Sequence, residues 1–153
     1  MSTPPLYIAR VSALALSAAT TRTVLQVVSA SSRRLAIKEW GISFDGADAT
    51  KTPILVEILR QTTAGTSSSL TLVQNDPGDP APLASALQGF SSTEPTSGDV
   101  LWSEYITPAG GFDRVQLPLG EEIGVAVSTR LGLRVTTASG VTANAAAYIK
   151  FAE

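Results

Sequence analysis

The clearest pattern in the sequence is alternation with a period of two. It is strongest in Arg33-Arg34-Leu35-Ala36-Ile37-Lys38-Glu39-Trp40-Gly41-Ile42-Ser43-Phe44-Asp45-Gly46, which ends on an Asp-Gly turn signal. In a regular strand Ala36, Trp40, Ile42 and Phe44 share one face, and Leu35 and Ile37 share the other. The phase therefore changes near Lys38 and Glu39. Either both faces are covered or a bulge resets the register, and Gly41 suits a bulge. The run predicts a central strand of a two-layer β-fold.

The same period recurs along the chain. Residues 7–16 alternate and lack a helix N-cap, so a strand is preferred although Ala and Leu favour helix. Residues 23–28 are rich in β-branched side chains. Residues 54–60 place Ile54, Val56 and Ile58 on one face. Short strands are predicted at 70–73, 100–106 (with Trp102), 115–117, 123–127 and 133–135, and a longer one at 141–151. In the last, Ala145, Ala147, Ile149 and Phe151 share a face. Between them, 74–99 reads as a long irregular segment with dense turn chemistry in Asn75-Asp76-Pro77-Gly78-Asp79-Pro80. Leu83 and Leu87 are spaced for one helical turn after Pro82. Loops of this length are often functional. Nine or ten short strands without a helical period predict one all-β domain, an antiparallel jelly-roll β-sandwich over 6–153. Its core should hold Trp40, Ile42, Val56, Ile58, Val125 and Val135. Residues 1–5, with Pro4 and Pro5, read as a flexible arm.

Composition removes several function classes. The 153 residues include no Cys and no His. That excludes disulfides, His-based triads and the usual zinc ligand sets, and no cofactor is indicated. The net charge of -2 argues against a nucleic-acid surface. The apolar stretch at 6–19 is too short and polar to span a membrane, and no basic segment precedes it as in a signal peptide. Charged residues are only 16% of the chain, against about 25% in ordinary domains. Such depletion suits a surface that spends its time against other subunits.

Carboxylates are the remaining acid/base candidates. Glu39, Glu57 and Glu104 lie in predicted strands, where paired carboxylates could serve a β-sandwich carbohydrate-active enzyme. Pairing with Lys38, Arg34 or Arg60, or exposure to solvent, is the favoured reading, and no enzyme activity is predicted. Asp76 and Asp79 lack the spacing of a calcium loop and read as turn caps. Gly110-Gly111 opens no helix and is no phosphate loop. Arg33 and Arg34 read as a solvated strand start. In Ala143 to Phe151 small side chains surround Tyr148 and Phe151, which suits either a buried central strand within one subunit or a strand near an oligomer axis where the aromatics meet their symmetry mates.

The run 33–46 resembles one found in small proteins encoded with the head genes of tailed bacteriophages. Residues 56–66, Asp79-Pro80 and 131–136 (Leu-Gly-Leu-Arg-Val-Thr) extend the resemblance. The strand order and the ending at Tyr148 to Phe151 are similar to trimeric jelly rolls of the tumour necrosis factor-like kind. The resemblance implies a capsid decoration, or cement, protein that is made in the bacterial host cytoplasm. It would bind the major capsid protein on the outside of a phage head as a homotrimer. It implies no partner of nucleic acid or membrane. Candidate capsid contacts are Pro4, Pro5, Asp76 and Asp79, on the arm and the long loop. Candidate trimer contacts are Tyr148 and Phe151. A virion receptor- or glycan-binding module is the alternative; a cluster of exposed aromatics on loops would favour it, and the sequence shows none.

Overall fold

The structure is a computed structural model that describes residues 4–46 and 52–153. Among these residues it contains twelve β-strands and no helix. They are β1 (Leu6–Leu16), β2 (Thr21–Val28), β3 (Leu35–Phe44), β4 (Ile54–Gln61), β5 (Ser68–Leu70), β6 (Val73–Gln74), β7 (Ser85–Gln88), β8 (Ser97–Ile106), β9 (Phe112–Gln116), β10 (Ile123–Val125), β11 (Arg130–Thr136) and β12 (Ala143–Ala152). Every pairing is antiparallel. One sheet runs β10-β3-β12-β1-β6, with β9 following β10 along the same edge of β3. The other runs β5-β7-β2-β11-β4-β8. The chain is an all-β sandwich, as its alternation predicts, and among the described residues no helix is long and apolar enough to cross a membrane.

The core lies between the sheets because alternate side chains of each central strand point the same way. Trp40, Ile42, Val56, Ile58, Val125 and Val135 are all buried there. So are Ala145, Ala147, Ile149 and Phe151 of β12. The phase change in β3 is a bulge: Glu39 pairs with Lys150 and Ile37 with Phe151, which leaves Lys38 as the extra residue. Gly41 is not the bulge. It stays in register opposite Tyr148, whose ring occupies the space a side chain at 41 would need. A second bulge lies between Val11 and Leu14 of β1 and puts Ala13 at φ +56°. It moves the buried positions from Tyr7, Ala9 and Val11 to Leu16.

Residues 74–99 are more ordered than their turn residues suggest. In place of a helical turn at Leu83 to Leu87, β7 pairs with β2 and β5, and Ala84 and Ala86 are buried at strand spacing. Pairing with two neighbours outweighs the local leucine spacing. The predicted strand at 70–73 is divided between β5 and β6, which join different sheets. Phe90 is buried, and residues 91–96 lie against the outer face of the second sheet. There Glu94 Oε2 accepts from the backbone N–H of Thr23 at 2.7 Å, beside the β2–β11 register shift. Beneath lies a buried polar chain. Gln26 Nε2 donates to Gln61 Oε1 at 2.7 Å, Gln61 Nε2 donates to Thr23 Oγ1 at 2.8 Å, and Arg130 Nη1 donates to Gln26 Oε1 at 3.0 Å.

Candidate docking surface

Among the described residues the longest exposed run, 96–105, lies on the lateral edge formed by β8 and β9. β8 is the outermost strand of its sheet, and all its residues but Ile106 are exposed. The turn after it needs glycine. A Cβ at Gly111 would stand 2.2 Å from Thr107 O, and Gly110 has φ +79°. This turn carries the chain from one sheet to the other. Consequently β8 and β9 flank the same side of the sandwich without pairing.

Edge strands are usually guarded by lysine, proline or brevity. The stretch Val100-Leu101-Trp102-Ser103 has none of these. Trp102 remains 42% exposed, Tyr105 68% and Phe112, at the start of β9, 75%. Trp102 meets the buried Trp40 edge to face, with ring centroids 6.2 Å apart. At about 200 Å² per aromatic side chain, these three leave roughly 370 Å² in water. That is about half of what a standard interface takes from one partner.

Two carboxyl groups meet at this edge, one on the exposed Glu104 and one on the half-buried Asp113. Glu104 of β8 lies within hydrogen-bond reach of Asp113 of β9. Asp113 Oδ2 is buried and receives no donor. The pair holds the Glu104 carboxyl above its ordinary value: the bond to Asp113 acts most strongly, then burial, then the Asp113 charge.

A second feature lies on the outer face of the first sheet. A groove of about 520 Å³ runs past Ile8, Arg10, Phe112, Ala146 and Tyr148. Tyr148 donates to Glu39 Oε1, and Arg114 Nε donates to the same oxygen at 2.8 Å. Burial, and then the bond to Glu39, push the Tyr148 hydroxyl up to about 12. Burial alone would raise Glu39. The bonds from Tyr148 and Arg114, with the charges of Arg114 and Lys150, outweigh it and hold the carboxyl below its ordinary value.

The residues singled out from sequence fall into separate places. Phe151 is a core residue at 0% exposure, tilted against Tyr7 at 5.9 Å. It offers no surface to a second chain, because the β12 face that alternation assigns to it is the inward one. Tyr148 is on the outer face, but Glu39 already takes its hydroxyl. Residues 1–3 of the arm lie outside the described residues. Pro4 is exposed, and Pro5 O accepts from Glu153 N at 3.3 Å. Asn75 N donates to Leu6 O at 2.8 Å, so the turn holding Asp76 and Asp79 lies against the start of β1 at the β6 edge. Asp76 caps its own turn, its Oδ1 accepting from Gly78 N at 2.9 Å. Glu57 is bound by Arg134 rather than Arg60, with Oε2 accepting from Nε at 2.9 Å and from Nη2 at 2.8 Å.

Among the described residues no three His, Cys, Asp or Glu side chains gather as a metal site. Tyr105, Phe112 and Asp113 were not singled out from sequence. One signal was available: Val100-Leu101-Trp102 is apolar at both parities, which fits neither a half-solvated strand nor a guarded edge. No family model, curated protein or solved structure matches this chain.

Proposed function

We propose that the chain is a structural virion protein that decorates the outer surface of a tailed-phage head as a homotrimer. The observation that carries the reading is the uncovered β8–β9 edge, whose aromatic surface suits burial by another subunit. The strand order supports a jelly roll: β1-β12-β3-β9 faces β2-β11-β4-β8, with successive strands passing between sheets. The resemblance of 33–46 to head-gene proteins supplies the phage context. Of the capsid contact candidates, Asp76 and Asp79 lie at the β6 edge, opposite the β9 edge in the same sheet, whereas Pro4 stands beside Lys38, Gln116 and Gly124. Attachment through Asp76 and Asp79 would thus use a different edge from self-association. A trimer seated on a local three-fold of the shell gains from engaging several capsid subunits together. The reading involves no catalysis.

Light scattering after size exclusion should give about three times the 15.9 kDa chain mass. Tyr105→Asp, at an exposed position, should reduce it toward one chain with the β circular-dichroism signal retained. The protein should co-sediment with phage heads. A monomeric wild type at micromolar concentration, or failure to co-sediment, overturns the reading. The exposed Trp102, Tyr105 and Phe112 favour one second reading, a virion module that binds receptors or glycans through this edge. Retention on a glycan array, lost in Tyr105→Asp, would select it.

A further inference from the structure

We propose that a proton held by Glu104 and donated to Asp113 latches the outer strand of one sheet to the outer strand of the other, and that losing this proton opens the edge between them. The geometry calls for a proton. Asp113 Oδ2 is buried with no donor, and the group beside it is another carboxyl. Two ionised carboxylates have nothing to donate, whereas a protonated Glu104 gives its O–H to the orphan oxygen. The elevated affinity of Glu104 for protons agrees with this arrangement.

Among the described residues no other charge stands in for the proton. From β9, Asp113 faces Glu104. From its own strand, the Trp102 indole donates to it and opposes the elevation. β4 presents Val56 opposite Glu104, and the adjacent Glu57 is bound to Arg134. β3 presents Ile42 opposite Asp113, and Glu39 on that strand is bound to Arg114 and Tyr148.

Deprotonation releases one proton to solvent and leaves two like charges, one with a buried, unpaired oxygen. Water must then reach Asp113, or the strands must part. β8 is the strand that yields. Among the described residues its only ladder partner is β4, with register breaks at Ile58/Leu59 and Leu59/Gln61. Its movement would wet Trp102 and uncover Trp40, so pH would set how much apolar edge is offered to a partner. The inference rests on the intrachain geometry and stands or falls apart from the capsid reading.

Trp40 and Trp102 are the only two tryptophans, so emission wavelength and acrylamide quenching report this edge directly. The experiment scans wild type, Glu104→Gln and Asp113→Asn from about pH 3 to about pH 8, with far-UV circular dichroism in parallel. Wild type should shift to the red and become more quenchable along one titration above pH 4.5, with constant dichroism. Glu104→Gln should stay blue throughout, because its amide donates to Asp113 Oδ2 without a proton. Asp113→Asn should also show no titration, and it tests the latch if Glu104→Gln fails to fold. A flat wild-type profile, loss of dichroism in step with the shift, or a titration in the folded variants like that of wild type overturns the latch.

Discussion

Replacing Gly132 by alanine tests the buried polar chain on the second sheet. Gly132 sits mid-strand in β11, opposite Gln26 of β2 and Leu59 of β4. A Cβ there would stand 2.2 Å from Gln61 Oε1, 2.4 Å from its Cδ and 2.9 Å from Nε2. A free glutamine would swing away at little cost. Gln61 is 3% exposed and bonded at both ends, to Gln26 and to Thr23. Displacing it breaks both bonds, although Gln26 Nε2 keeps Thr63 O at 3.0 Å. Each buried polar group left without a partner costs about 1–3 kcal/mol. Alanine's smaller entropy loss on folding returns about 0.5–1 kcal/mol. The net expectation is a loss of about 2–3 kcal/mol, or roughly 4–12 °C in Tm for a domain of this size. Urea denaturation followed by circular dichroism measures it. The double-mutant cycle is decisive. In a Gln61→Ala background the obstacle is gone, so Gly132→Ala should then cost nothing. Equal costs in the two backgrounds, or a single-mutant cost under about 0.5 kcal/mol, would refute the steric account.

Two further outcomes follow from local geometry. Tyr148 has its hydroxyl raised from 10.0 to about 12 in the folded protein. The stability it contributes is therefore complete below pH 10 and is lost as pH rises through about 12. Tyr148→Phe should remove that alkaline decline, read as the pH dependence of the urea midpoint. Ala13 holds a left-handed conformation at φ +56°. Ala13→Gly should raise stability by about 0.5 kcal/mol, the relieved strain exceeding glycine's entropic cost.

Much of the architecture was legible because burial alternates along strands. Trp40, Ile42 and Phe44, or Ile54, Val56 and Ile58, declare the core face by spacing alone. The break at Lys38 was legible as a break, but Gly41 drew attention as its cause. The glycine is instead needed by a tyrosine on the neighbouring strand, and no local rule reports that. The surface candidates were harder for the same reason. Alternation already placed Phe151 with Ala145, Ala147 and Ile149, but it did not say which β12 face was inward. Glu104 and Asp113 belong to different sheets, so their encounter depends on a glycine turn that ends one sheet and starts the other. Glu57 likewise found Arg134 across the ladder in place of the nearer Arg60. Cross-strand partners follow from register, and the bulges in β1, β2 and β3 keep register from being read off residue spacing.

The strand order carries a consequence for synthesis. β12 lies between β1 and β3, and β11 lies between β2 and β4. Neither central ladder can close until the strands nearest the C-terminal end leave the ribosome. Until then β1 and β3 expose open edges, and so do β2 and β4. Folding is thus a late event with costly long loop closures, slow by the measure of contact order and vulnerable to mispairing meanwhile. A nascent chain stalled before Ala143 would hold every strand of the first sheet but the one that joins β1 to β3.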